Sequence, residues 1–274
     1  MSFWQTTRFR IDLSRPRVMG IVNVTPDSFS DGGRGVAQAV VHAEQLLAEG
    51  ADILDVGGES SRPGSEPVPL EEELRRVKPV LEALVKLGAP VSIDTYKTET
   101  MRLALDLGVD IVNDIYALRS AGAEDLVAAH PNCGVCLMHM LGEPKSMQND
   151  PHYADVVADV TRFLGERAVA LRRRGVAAER IVLDQGIGFG KRTQDNFDLL
   201  QGQGAVLALG YPLLAGWSRK TSIGKVTGRE VGERMVGSVA AALAAVQYGA
   251  KVVRVHDVAA TVDALKVWHH AGLC

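Results

Sequence analysis

Short runs of aliphatic and β-branched residues recur along the chain at 18–24, 53–56, 91–93, 111–112, 134–138, 181–183, 213–215 and 252–255. Each is followed by a cluster of Gly, Pro, Ser or Asp, and then by a longer stretch whose apolar positions have helical spacing. Most runs are apolar at consecutive positions rather than alternating, as parallel strands covered on both faces are. The spacing predicts helices over 36–49, 70–87, 99–107, 123–130, 153–174, 195–201, 230–248 and 258–270. Gly50, Gly88, Gly108, Gly175 and Gly249 stand where a left-handed residue closes a helix. The polar residues ending the runs, Asn23, Asp55, Asp94, Asn113, His139, Asp184, Arg219 and Arg254, repeat roughly every 33 residues. A strand–helix unit needs about 30 residues, and eight of them close into a barrel of about 250. A chain of 274 residues with no break in composition is therefore expected to be one α/β domain over 1–274, a single (β/α)8 TIM barrel. Its segment 8–13 alternates and is expected as a short N-terminal strand or hairpin extension that plugs the barrel floor.

The two ends of each predicted strand differ. Starts are bland, whereas ends carry Asn, Asp, His, Arg or Lys. In this fold the C-terminal ends of all strands open into one bowl, which is where active sites are built. One convergent polar pocket follows.

Composition narrows the choice of ligand. Hydrophobic residues at 46% and charged residues at 23% are ordinary globular values and exclude a disordered or low-complexity chain. A formal net charge of −3 supplies no global field for a nucleic-acid backbone or an anionic membrane, so neither is expected as a partner. Any anion must meet a local pocket. No apolar stretch has the length of a signal peptide core or a membrane span, and three cysteines are too few for a disulfide scaffold, so a cytoplasmic protein is expected. Cys133 and Cys136 form a C-x-x-C without a second pair, and Cys136 falls inside a strand, so both read as core thiols.

Asp94 and Asp184 end apolar strands, where an unpaired carboxylate is costly. Each either caps the next helix or accepts from a ligand with N–H groups, such as an aminopyrimidine-like edge. Asn113, a donor and an acceptor, would complete that edge or serve as a turn residue. Residues 215–224, A-G-W-S-R-K-T-S-I-G, gather Ser218, Arg219, Lys220, Thr221 and Ser222 after the seventh run, where this fold commonly places phosphate. Arg254 and His256 stand two apart and so point to the same side. Residues 25–35 and 57–67 are richer in Gly, Ser and Pro than a short turn requires and read as candidate lids or plain surface loops. The G-I-G-F-G run at 186–190 lacks dinucleotide-loop spacing and is expected as a tight turn that presents Phe189. Arg172, Arg173 and Arg174 are expected to complement the end of a helix dipole.

The ordered set M-G-I-V-N-V-T-P-D-S-F-S-D-G-G, D-V-G-G-E-S-S-R-P-G, I-D-T-Y-K, V-N-D-I, L-M-H-M, D-Q-G-I-G-F-G-K, S-R-K-T-S-I-G and V-R-V-H-D resembles the bacterial dihydropteroate synthases from about residue 15 onward. It departs at Ser61, where Thr is common, and at Gln185, where Pro is common and where a looser turn is expected. The resemblance implies a homodimeric barrel that joins 6-hydroxymethyl-7,8-dihydropterin diphosphate to 4-aminobenzoate with Mg2+, in folate biosynthesis. It implies that Asp94, Asn113, Asp184 and Lys220 hold the pterin, with Ile115, Met138, Phe189 and Gly216 lining the slot. It also implies that Arg254 and His256 reach the diphosphate, that Arg219 belongs to the same substrate site, and that Asn23 binds the metal. Phe29, Ser61, Arg62 and Pro63 are implied in loops that complete the aminobenzoate site, with Thr221 at its carboxylate. The Ala-rich stretch 239–246 would let neighbouring helices approach closely, which a dimer can use.

Two other readings share the pterin edge: a barrel moving a methyl group from a methylated folate to a corrinoid protein, and a pterin-binding paralogue without turnover. The first needs no S-R-K-T and R-V-H cluster, and the second no elaborate loops. The resemblance generates one prediction. Phe29→Ala and Arg62→Ala should spare pterin diphosphate binding while depressing turnover with 4-aminobenzoate; equal loss of both would make these loops structural.

Overall fold

The computed structural model describes residues 1–24, 34–60 and 64–273. The chain starts with a hairpin, β1 (Phe3–Gln5) paired antiparallel with β2 (Arg10–Asp12). Eight parallel strands follow: β3 (Arg17–Asn23), β4 (Ile53–Gly57), β5 (Val91–Asp94), β6 (Ile111–Asp114), β7 (Gly134–Met138), β8 (Ile181–Asp184), β9 (Leu213–Ala215) and β10 (Val252–Val255). Each pairs with its sequence neighbours, and β10 pairs with both β9 and β3, which closes the barrel. Around it stand α1 (Arg34–Ala48), α2 (Leu70–Leu84), α3 (Thr98–Asp106), α4 (Ala123–Ala129), α5 (Val156–Arg173), α6 (Thr193–Gln201), α7 (Gln203–Leu207), α8 (Thr221–Thr227), α9 (Met235–Gln247) and α10 (Val258–His270). The expected (β/α)8 TIM barrel with an N-terminal hairpin is what forms.

Strand parity organises the interior. Residues of one parity, such as Leu54, Val56, Ile93, Val112, Leu137 and Leu183, face the helices and join the large outer core. The other parity faces the lumen, where Met19, Ile53, Ile111, Cys136, Val182, Leu214 and Val252 form one apolar layer with the hairpin's Trp4, Ile11 and Leu13. Two residues further along each strand, one pleat higher, stand Ile21, Asp55, Asn113, Met138, Asp184, Gly216 and Arg254. The barrel is therefore apolar below and polar above. Trp4, fully buried, donates from its indole Nε1 to Arg180 O at 2.9 Å, and a Cβ at Gly134 would sit 2.9 Å from that nitrogen. The floor plug expected for 8–13 is real, but it needs the preceding strand β1 as its partner.

All five expected helix-ending glycines have positive φ, between 75° and 103°. Boundaries moved elsewhere. The predicted helix 153–174 begins at Val156, because Asp155 caps it by accepting from the backbone N–H of Val157 and Ala158. The predicted 230–248 helix starts only at Met235, after a 3-10 turn at Val231–Glu233, and α8 precedes it as a separate piece. Arg172 and Arg173 do lie in the last turn of α5, while Arg174 instead pairs with Glu124 and Asp125 at the start of α4. The Ala-rich stretch packs within the chain: Ala241, Ala242, Ala245 and Val246 are buried. Cys133 and Cys136 are buried free thiols. Among the described residues no helix is long and apolar enough to cross a membrane.

The floor yields a prediction. Trp4→Ala should cost about 3–5 kcal/mol of unfolding free energy in urea, the range for a fully buried aromatic. A loss below about 1 kcal/mol would show that the hairpin does not belong to the barrel core.

Candidate active site

A cavity of about 690 Å3 opens above the polar layer at the C-terminal ends of the strands, within the usual volume range for a small-molecule site. Asn23, Asp94, Asn113, Ile115, Met138, Asp184, Phe189, Gly216, Arg219, Lys220, Thr221, Arg254 and His256 all line it. Every expected site residue that is described thus meets in one place; Phe29, Ser61, Arg62 and Pro63 lie outside the described residues.

Register explains the meeting. Gly57, Asp94 and Asn113 stand side by side across β4, β5 and β6, and Met138 is paired with Asp184 across β7 and β8. Below them Asp55, fully buried, accepts from Arg254 Nε at 2.5 Å and from Asn113 Nδ2 at 3.2 Å. The same guanidinium donates from Nη2 to Asp94 at 2.6 Å. One cation thus serves two carboxylates. Burial raises Asp94 to about 7, against the attraction of Arg254 and with the repulsion of Asp55 added. Burial opposes the charge on Arg254, but Asp55 and Asp94 outweigh it, so its proton is held more firmly than in water. Burial also raises Asp184, although Gly186 N–H donates to its Oδ1 at 2.7 Å and Lys220, Lys191 and Arg254 pull the other way.

The walls are apolar. Ile115, Met138, Met140, Met147 and Phe189 form their own cluster, with Tyr96 and Tyr116 against it. Lys220 Nζ lies 4.1 Å from the centre of the Phe189 ring, a cation held over a π face beside the slot. Ser218 Oγ is 2.9 Å from His256 Nδ1 and accepts from the His256 backbone N–H at 3.1 Å, which fixes the imidazole. Thr221 opens α8 and is exposed. Arg219 lines the cavity, but its guanidinium forms a two-pronged pair with Asp257, at 2.6 and 3.1 Å, and its charge is balanced there.

Two expectations need correction. His139 follows the last residue of β7 and does not line the cavity; one residue past the inward Met138, it has outward parity and packs edge-on against Phe163 with centroids 5.0 Å apart. Burial and Lys191 push its pKa down to about 2, so the ring is neutral. Gln185 does not loosen the turn: it is buried and donates to Leu199 O at 3.1 Å, a carbonyl near the end of α6. Two residues without an assigned role in the sequence also matter. Asp55 is legible as a strand end but not as the partner of Arg254. Lys191 is 2% exposed and reaches the cavity wall from behind, and burial lowers its pKa to about 7 while Asp184 resists that shift. Its signal was an isolated Lys ending a glycine-rich turn.

The family described as pterin binding enzyme matches residues 19–256. The chain is 53% identical to the dihydropteroate synthase of Neisseria meningitidis serogroup C over 276 residues, which covers 98% of each chain. It superposes on the dihydropteroate synthase of Xanthomonas albilineans with 4-aminobenzoic acid at a TM-score of 0.90, with 54% identity over 96% of this chain and 95% of that one. Against the Burkholderia cenocepacia dihydropteroate synthase complexed with 7,8-dihydropteroate the TM-score is also 0.90, with 51% identity over 99% and 96% of the two chains.

The charge pattern predicts a pH response. Burial lets Asp94 keep its proton to about pH 7 in the native chain, whereas the free carboxyl loses it near 3.8. The native state therefore binds the extra proton between those values; that stabilisation is complete below the lower one and is lost as pH rises through the upper. Asp94→Asn cannot ionise. Its melting temperature relative to the wild type should rise from pH 5 to pH 8 by a few degrees, at roughly 2–4 °C per kcal/mol for a chain of this size. A constant difference across that range would contradict the assignment.

Proposed function

Because the chain belongs to the pterin-binding enzyme family, we propose that it is a transferase catalysing the dihydropteroate synthase reaction: 6-hydroxymethyl-7,8-dihydropterin diphosphate and 4-aminobenzoate give 7,8-dihydropteroate and pyrophosphate. The observation that carries the reading is a single cavity with Asp94, Asn113 and Asp184 on one side and Lys220, Arg254 and His256 within reach. The complexes of the two similar synthases with 4-aminobenzoic acid and with 7,8-dihydropteroate support the same pair of substrates.

In this reading the pterin's N–H edge donates to Asp184 and Asn113, while Ile115, Met138, Phe189 and Gly216 enclose its ring. The C–O bond between methylene and diphosphate breaks, the electron pair leaves with the diphosphate, and positive charge spreads into the pterin. Asp94, already beside Arg254, stabilises that charge in place. The aminobenzoate nitrogen then bonds to the methylene carbon and gives up a proton. No nucleophilic side chain takes part. Arg254 and His256 face the departing diphosphate; one unit charge at 4 Å is worth about 4 kcal/mol at an effective dielectric near 20. Thr221 supplies a hydroxyl for the carboxylate of 4-aminobenzoate, while Lys220, held over the Phe189 ring, serves the pterin.

Mg2+ fits this donor set in a limited way. Among the described residues no group of three His, Cys, Asp or Glu forms a metal cage, and Asn23 offers one exposed carboxamide oxygen at the cavity. Mg2+ is commonly held by few protein oxygens together with substrate phosphates, and when bound with the diphosphate it would neutralise charge on the leaving group. A homodimer belongs to the same proposal. Val226, Met235, Val236 and Val267 on α8, α9 and α10 are 63%, 43%, 75% and 69% exposed, an apolar surface a second copy would cover.

Incubation of both substrates and Mg2+ with the purified chain should release pyrophosphate and dihydropteroate. Lys220→Ala and Asp184→Ala should weaken pterin diphosphate binding by roughly tenfold or more in calorimetry. Near-normal binding by both variants would refute the site.

A further inference from the structure

Lys191 has no contact with solvent worth the name, yet its ammonium is crowded with acceptors. Nζ lies 2.9 Å from His139 Nδ1, 3.0 Å from Gly186 O, 3.1 Å from Phe189 O and 3.3 Å from His139 O. An ammonium has three protons, so all of them are engaged. The neutral His139 ring accepts through Nδ1, which places its own proton on Nε2. Each acceptor belongs to one of two segments: the end of β7, or the turn that follows β8.

Those segments approach so closely that no side chain fits between them. A Cβ on Gly186, at φ +68°, would land 1.9 Å from His139 O, and one on Gly190, at φ +63°, 2.4 Å from Leu141 O. Backbone oxygens converging in a dry space repel one another unless a donor rich in positive charge stands among them. Lys191 is that donor. The turn it grips is the one that builds the pterin slot: Phe189 N–H donates to Gly186 O at 3.0 Å to close it, Gly186 N–H holds Asp184, and Phe189 forms the wall under Lys220. Tyr153 secures the next carbonyl, Gly190 O, at 2.7 Å.

We propose that Lys191 is a positioning residue for the heterocycle: it ties the β7 end to the turn after β8, and so sets where Asp184 and Phe189 meet the pterin. It touches no reacting atom. The inference rests on the pterin reading above and adds to it a group that acts from behind the wall.

The test uses the full chain with Lys191→Met, which keeps length and removes the charge, and Lys191→Gln, which keeps an N–H donor. Calorimetry with 6-hydroxymethylpterin, a probe without diphosphate, should show affinity lowered roughly tenfold or more in Lys191→Met and by less in Lys191→Gln. KM for the pterin diphosphate should rise in step, while KM for 4-aminobenzoate stays within about twofold. In a double-mutant cycle with Phe189→Ala, the combined loss should be smaller than the product of the single losses. Wild-type pterin affinity in Lys191→Met, equal loss for both substrates, or fully multiplicative losses would each overturn the proposal. If Lys191→Met does not fold by circular dichroism, Lys191→Gln is judged by the same KM split. A wild-type chain that ignores 6-hydroxymethylpterin would instead sink the pterin reading itself.

Discussion

A single guanidinium held between two carboxylates inside a closed barrel is the interaction on which the upper half of the molecule depends. Arg254 comes from β10, Asp55 from β4 and Asp94 from β5, and Asn113 from β6 joins through Asp55. Four strands are thus cross-linked through the lumen just above the apolar layer. Such buried ionic groups rarely add net stability over well-packed apolar ones, because removing charges from water is costly. Their presence is better explained by what they arrange. Two negative groups share one positive group, so the pair is left with excess negative charge, and Asp94 at the cavity edge is where that excess is felt. In the proposed reaction, a carboxyl poised in this way would respond as positive charge develops above it.

The same arrangement explains which chemistry the protein does not need. Cys136 is buried in the lumen and Cys133 against Arg180, and burial raises both thiols away from the reactive thiolate. Neither lines the cavity. What lines it instead are acceptors, cations and hydroxyls on rigid strand ends, a set suited to holding two molecules in line and to stabilising charge. Rigidity comes from parity and register, which put Asp94 beside Asn113 and Asp184 beside Met138 without any contribution from loops.

Much of this was legible in the sequence because it is local. Apolar runs near a 33-residue spacing indicate the barrel, and a polar residue at each strand end indicates the bowl; Asp94, Asn113, Asp184 and Arg254 were found that way. What was not legible depended on partners far along the chain. Asp55 and Arg254 are separated by 199 residues, and only closure of the barrel brings them together. Lys191 looks like a surface lysine until the β7 end folds over it. Arg219 looks like a free cation until Asp257, 38 residues later, is seen to balance it. His139 breaks the pattern. Strand ends do not behave as one class: counting in twos from Cys136 through Met138 turns His139 toward the helices. The same counting separates the lumen from the outer core on every strand, a signal that consecutive apolar residues conceal.

The hairpin beneath the barrel has a further consequence. With Trp4, Ile11 and Leu13 packed against the lower lumen side chains, that end of the barrel is filled, and the cavity opens at the C-terminal ends of the strands. Under the proposed chemistry both substrates and the joined product would share that one rim, between Asp184 and Thr221.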